Sequence, residues 1–287
     1  LDGDPENRGS VPLAEENIDR LTEYMQAFNQ PLSTVELKQG TYANTGFTQW
    51  GASGLAVAWA EENTRESIFN AFRRKETFAT TGTRIAVRFF GGYDLSSIDL
   101  NSDSLVSESY QKGVTMGADL MQEDDKIPEF IVWAKKDKNG APLQRVQIVK
   151  GWIDSNSGRP KEKVFDVACS DGNEVDPVTN RCPDNGAKVN ISDCSITDNV
   201  GSSELKTLWK DPEFSSLDKS FYYVRVLENP TCRWSTWDAI SRGYQPREDL
   251  HETIQERAWT SPIWYIPNAS DVDVIPLGGT IQLRNID

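Results

Sequence analysis

The chain has 287 residues, with 44 acidic against 30 basic side chains, a formal charge of −14 and a sequence pI near 4.6. A nucleic-acid backbone or an anionic membrane repels such a surface unless a basic patch overrides the field, and the sequence holds no such patch. Nine Trp and an aromatic share of 10% exclude a disordered chain, the length favours two domains, and no apolar run approaches the roughly 18 residues of a spanning helix, so a soluble chain without a transmembrane segment is expected.

The first residues, Leu1-Asp2-Gly3-Asp4, carry neither an initiator Met nor a secretory signal and read as the inside of a longer frame or a processed end. Residues 14–28 predict a helix with Ile18, Leu21, Met25 and Phe28 on one face and Pro31 as its stop. Residues 33–49 are polar and contain Gly40 and Gly46. They read as a long loop with short pieces of structure, of the kind that lies over a site elsewhere.

Residues 53–90 predict strand, helix and strand in succession. The run 55–59 is apolar and of the buried-strand type, and Asn63 followed by Glu66 matches a reciprocal capping box. Ile68, Phe69, Ala71 and Phe72 then form an apolar stripe, while Arg73, Arg74 and Lys75 complement the negative pole at the helix end. Past a tight connection at 80–83, Ile85, Val87 and Phe89 alternate as a strand.

Beyond Arg84 the β-rich runs are 129–135, 143–152, 163–168, 220–228 and 257–266. Asp137-Lys138-Asn139-Gly140 predicts a hairpin between the first two, because Asn-Gly supplies the positive φ angles of a primed turn. Short helices are expected at 204–209 and 237–243, and a last strand at 280–284. Short strands at this spacing predict an antiparallel β-sandwich. The expected class is therefore α+β: an α/β part over 1–84, a sandwich-like domain over 85–267 with a disulfide-rich loop at 166–200, and a tail at 268–287.

Four cysteines, Cys169, Cys182, Cys194 and Cys232, all lie in the second half. Their spacings lack the short knuckle of a structural zinc site and no His is near, so two disulfides are expected, with free buried thiols as the alternative. Of the three pairings, proximity along the chain favours Cys169 with Cys182, which leaves Cys194 with Cys232.

The single His, His251, sits in a polar stretch that reads as a surface connection. With one His there is neither a His-x-His metal pair nor a zinc-protease helix, and the sequence also lacks a Gly-x-Ser-x-Gly elbow and a glycine-rich phosphate loop. Glu61 and Glu62 follow the 55–59 strand at its C-terminal end, where α/β folds place their sites, although acids there also serve a helix dipole. Asp171, Asn173, Glu174, Asp176 and Asp184 cluster around Cys169 and Cys182 as hard-oxygen donors for calcium, outside the EF-hand spacing; a solvated, stapled loop is the plainer account. Trp133, Trp152, Trp234, Trp237, Trp259 and Trp264 are either a sugar platform or core.

The strings GASGLAVAWAEENTRESIFNAFRRKETFATTGTRI from Gly51, GVTMGADL from Gly113, LQRVQIVKGW from Leu143, DVACSDG from Asp166, RCPDNGA from Arg181, FYYVRVLENPTCRWSTWDAI from Phe221 and ERAWTSPIWY from Glu256 resemble the C-terminal portion of the bacterial domain-of-unknown-function family 3604. That family is similar to the polymerase-and-histidinol-phosphatase (PHP) superfamily of metal-dependent phosphoesterases. The resemblance implies the end of a distorted (βα) barrel over 1–84 and an antiparallel sandwich after it, in an exported, periplasmic or secreted protein whose four cysteines match the family pattern. PHP sites hold divalent metal ions on several His, Asp and Glu, including an early His-x-His. None of those elements occurs here, so no metal ligand carries over and the metals are expected in the parent protein.

The implied function is the C-terminal part of a PHP-like metal-dependent hydrolase, with no cofactor in this chain, partnered by its own N-terminal half or a homo-oligomer mate. Glu61, Glu62, Arg65 and Arg84 are the candidates to face that site. The alternative is a stand-alone exported module, inactive, that binds a glycan, calcium or a protein. The two differ in one structural expectation: a partial barrel leaves strands 55–59 and 85–89 with open edges and an apolar face exposed, whereas a stand-alone module covers them.

Overall fold

The computed structural model describes residues 4–44, 46–155 and 157–268. Two sheets account for most of it. The larger runs, neighbour by neighbour, through Pro160–Cys169, Leu143–Ile153, Ser220–Glu228, Arg257–Thr260, Thr77–Thr80 and Leu55–Ala58; Ile263–Ile266 also pairs with Ser220–Glu228 and carries Asp119–Met121 on its other side. The smaller has the order Glu204–Lys210, Glu129–Lys135, Ala86–Gly92, Gly113–Thr115. Every pairing in the two is antiparallel except Ile263–Ile266 with Asp119–Met121.

Alternation along the strands builds the core. Tyr222, Val224 and Val226 point inward from one strand while Phe221, Tyr223 and Arg225 point out, and the inward set meets Val87, Phe89, Phe130 and Val132 of the smaller sheet. Each such side chain contributes about 1.5–3 kcal/mol when fully buried. The outer face of the smaller sheet is buried too: Phe90 and Ile131 pack under Leu95, Ile98 and Leu105 of the covering segment, which includes the helix Leu105–Lys112. Burial on both faces is why the 129–135 run is apolar almost without alternation. At one end an ion pair, Lys150 Nζ to Asp211 Oδ2 at 2.5 Å, latches the two sheets, with side chains 1% and 0% exposed. The Tyr222 hydroxyl donates to the same oxygen at 2.8 Å, and Lys150 also donates to the Glu213 carbonyl at 2.8 Å.

Several expectations are corrected. The 137–140 turn forms, but it is not a hairpin: Glu129–Lys135 lies in the smaller sheet and Leu143–Ile153 in the larger, so the segment crosses between sheets. Asp137 explains the diversion, since its carboxylate accepts from Arg84 N at 2.7 Å and ties the turn to the start of the Ala86–Gly92 strand. Residues 204–209 are strand rather than helix, because Leu205 and Trp209 face the inter-sheet core with period two while Leu208 faces the other way. The 257–266 run is broken into two strands at Pro262, and Thr260 Oγ1 accepts from Val224 N at 3.0 Å at the break. The helix Arg65–Arg73 is capped by Thr64, whose Oγ1 accepts from Ser67 N at 3.2 Å, and not by Asn63; the third helical position is Ser67, so no capping box with Glu66 arises. Thr77–Thr80 is an additional strand, antiparallel to Leu55–Ala58, and among the described residues no closed barrel forms.

The N-terminal segment is ordered around a small core of Leu13, Leu21 and Ala43. Its helix spans Glu15–Gln26, and the expected loop 33–49 holds a hairpin, Thr34–Leu37 with Gly40–Ala43, and a short helix Gly46–Gln49. Gly9 has φ +70°, and an added Cβ would stand 2.1 Å from the Ala43 carbonyl, so only glycine fits there. Polar contacts tie this segment to the helix Trp234–Ser241, which replaces the expected 237–243: Arg8 pairs with Asp238 at 2.8 Å, and Arg233 donates to the carbonyls of Thr48 and Trp50, both at 2.7 Å. Disulfides join Cys169 to Cys182 and Cys194 to Cys232. Among the described residues no helix is long and apolar enough to cross a membrane. The expected strand 280–284 lies outside the described residues.

Candidate functional site

Trp59 prolongs the Leu55–Ala58 strand, its backbone N–H donating to the Glu76 carbonyl at 3.0 Å and its indole to the Val87 carbonyl at 2.9 Å. Both bonds fix the ring over the smaller sheet. Arg88, on the outward side of Ala86–Gly92, lays its guanidinium 3.6 Å from the Trp59 ring centroid, a close cation–π stack. Glu76, immediately before Thr77–Thr80, is buried beneath them. Tyr110 donates its hydroxyl to Glu76 and accepts from Arg88 Nη1 at 2.6 Å; Thr115 Oγ1 donates to Glu76 at 3.3 Å, and Arg74 Nη2 pairs with Glu76 Oε2 at 3.4 Å. Arg88 Nη1 stands 3.5 Å from Glu76 Oε1.

These side chains wall a cleft of about 530 Å³. Glu61 forms its outer lip, paired with Arg74 at 3.0 Å and accepting from Ser67 Oγ at 3.0 Å. Its carboxyl is held below the ordinary range by its own backbone N–H, then by Ser67 and Arg74. Burial pushes the Tyr110 hydroxyl up to about 12, with the Glu76 bond adding and Arg88 opposing, so Tyr110 keeps its proton and remains a donor throughout the neutral range. A smaller hollow of about 210 Å³ shares Trp59 and Arg88 and is closed by Trp133 and Lys135. Two guanidiniums and an aromatic floor, oriented by two carboxylates, suit the cleft to an anionic group.

Of the four candidates from sequence, only Glu61 lines this cleft. Glu62 and Arg65 are exposed at the helix entry, where the Glu62 N–H donates to Ser67 Oγ at 3.1 Å. Arg84 is exposed and four residues before Arg88, about 13 Å along an extended strand, so the structure does not bring it to the cleft. Trp59, Arg74, Glu76, Arg88 and Tyr110 escape sequence reading. A single Arg inside the apolar run IAVRFF is the one local signal, since a charge on a half-buried strand needs a partner.

The calcium candidates serve turns. Asp171 accepts from Gly201 N through both oxygens at 2.8 and 3.0 Å, Asp176 accepts from the N–H groups of Val178 and Thr179 at 2.8 and 2.9 Å, and Asn173 donates to the Ser170 carbonyl at 3.0 Å. Asp184 likewise accepts from Gly186 N at 3.0 Å. Among the described residues no three His, Cys, Asp or Glu side chains converge as metal ligands. The aromatic candidates scatter: Trp152 and Trp264 share an outer-sheet hollow with Phe221, Trp234 and Trp237 line another cavity, and Trp133 adjoins the cleft. His251 is exposed.

Fold and cleft together define an α+β protein of mainly antiparallel sheets, stapled by two disulfides that fit an oxidising, exported compartment. The chain belongs to the family described as Protein of unknown function (DUF3604), whose model matches residues 12–267. No curated protein and no solved structure matches it.

Proposed function

We propose that the chain is the C-terminal part of a periplasmic or secreted PHP-like metal-dependent hydrolase of the phosphoesterase type, to which it contributes substrate-orienting groups. One observation carries this. Among the described residues Leu55–Ala58 ends the larger sheet with an open edge, and beside it Leu55, Phe69 and Phe72 are 38%, 58% and 52% exposed. An unpaired edge next to exposed phenylalanines is the surface expected where another folded part docks, and a part seated there lies against the cleft that Trp59 and Glu61 line. The other edge a partial barrel would leave open, at 85–89, pairs with Glu129–Lys135 on one side, while on the other the ladder to Gly113–Thr115 begins only at Phe90.

In this arrangement the docked part would hold the metal ions, and the chemistry they would supply is activation of water. Arg74 and Arg88 offer guanidinium N–H groups to phosphoryl oxygens, held in place by Glu61 and Glu76, while Glu62 and Arg65 stay outside the cleft at the helix entry. Denaturing mass spectrometry and metal analysis of protein isolated from its natural cell provide the test. A longer chain, or an associated polypeptide with His-rich motifs and bound transition metal, is expected. A monodisperse, metal-free species of 32.2 kDa refutes it.

A stand-alone binding role has one observation in its favour. Trp264 and Phe221, with ring centroids 5.1 Å apart, border an outer-sheet hollow of about 540 Å³ rimmed by Lys161, Glu162 and Lys219, a surface suited to a sugar ring. Quenching or enhancement of Trp fluorescence by soluble glycans, lost in Trp264→Ala, would support that role.

A further inference from the structure

A cavity of about 400 Å³ shares no lining residue with the cleft and is walled by Thr83, Gly140, Cys232, Trp234, Glu228 and Glu256 among others. Glu228 closes the Ser220–Glu228 strand, and its backbone N–H donates to the Glu256 carbonyl at 3.0 Å, so the two glutamates sit on adjacent strands. Glu228 is 0% exposed. Both of its carboxylate oxygens and Glu256 Oε2 are buried and short of hydrogen-bond partners among the described residues, with the Thr83 hydroxyl as the side-chain donor facing Glu228. Buried carboxylates are ordinarily paired, and like charges on neighbouring strands repel.

Among the described residues no Lys or Arg forms an ion pair with them. Lys136 is spent on the carbonyls of Asp137 and Gly140, both at 2.9 Å, and Arg233 on Ser235, Thr48 and Trp50. The third nearby acid, Asp137, is engaged by the N–H groups of Arg84 and Asn139. Gly140 makes the room: a Cβ there would stand 2.9 Å from Glu228 Oε1. The orphaned atoms are all hard oxygens, and they are too deeply covered for a bulky organic cation to touch.

We propose that Thr83, Glu228 and Glu256 form a binding site for one hard divalent cation, calcium being the ion whose flexible all-oxygen coordination suits them. Two carboxylates and a hydroxyl leave the remaining positions to water. With so few charged ligands the affinity falls in the weak range of extracellular calcium modules, roughly 10⁻⁴–10⁻³ M.

Terbium luminescence, sensitised by Trp234 and Trp237 in the same cavity, tests the site on chelator-treated protein. The expected result is a signal displaced by millimolar calcium and at least tenfold weaker in Glu228→Gln and in Glu256→Gln. The melting temperature should rise with calcium in the native chain only. Equal signals in the native chain and both variants would place the ion elsewhere and overturn the proposal. So would the absence of any calcium response at pH 8, which would leave a shared proton as the sole occupant. If Glu228→Gln fails to fold, Thr83→Val gives the same readout, with a several-fold loss expected and an unchanged affinity overturning the site.

Discussion

Replacing Lys150 by Met tests whether the latch between the sheets is charged and dry. The ammonium lies 2.5 Å from Asp211 with both side chains at or below 1% exposure, and Met keeps most of the aliphatic stem while removing the charge. Asp211 would then be a buried carboxylate facing only the Tyr222 hydroxyl and the Glu213 N–H, at 2.8 and 2.9 Å. Breaking a buried pair from one side costs about 3–5 kcal/mol, because the orphaned charge keeps its desolvation penalty without the attraction that offset it. Urea denaturation at pH 7 reads this as a lower midpoint with an unchanged slope. Removing both partners, in Lys150→Met with Asp211→Leu, should cost less than the sum of the single changes, with a coupling of about 1–3 kcal/mol. A loss below about 1 kcal/mol in Lys150→Met, or strict additivity in the double variant, would refute the account of a dry ion pair.

The two disulfides close loops of 13 and 38 residues, so converting Cys169 and Cys182 to Ser should cost about 3 kcal/mol and converting Cys194 and Cys232 about 4 kcal/mol, measured by guanidinium unfolding. Glu228 has its folded-state pKa raised from an ordinary 4.5 to about 7, so the native state binds more protons than the unfolded one between those values and stability falls as pH rises through that window. In chelator the fall should total about 3 kcal/mol and vanish in Glu228→Gln; a native chain flat from pH 4.5 to 8 would contradict it. Tyr110→Phe removes the donor to Glu76 and the acceptor for Arg88, and should cost about 1–3 kcal/mol by thermal unfolding, with the Trp59 fluorescence altered as the stacked arginine loosens.

Local patterning carried the strand interiors. Ile85, Val87 and Phe89 alternate in sequence and all three are buried in the structure, and the 220–228 run lies on the strand Ser220–Glu228. The cysteine pairing was legible from spacing because the short loop leaves only one partner each. Partner choice was not legible. A turn does form over 137–140, but neither Asn139 nor Gly140 takes the positive φ of a primed turn, and the strands on either side find partners in different sheets. Residues 204–209 show the same limit, since ELKTLWK fits either period until the 129–135 strand is placed beside it. The cleft was hidden for a related reason. Arg73, Arg74 and Lys75 read as the charged end of a helix, but Lys75 turns the chain at φ 58° and Glu76, the next residue, is drawn under Trp59 by contacts with residues 88, 110 and 115.

The order of strands in the larger sheet also governs when the protein can fold. Thr80 pairs with Ala258 and Ala79 with Trp259, so the hairpin that holds Trp59 and Glu76 joins the larger sheet only through a strand far along the chain. Such distant pairings make folding slow.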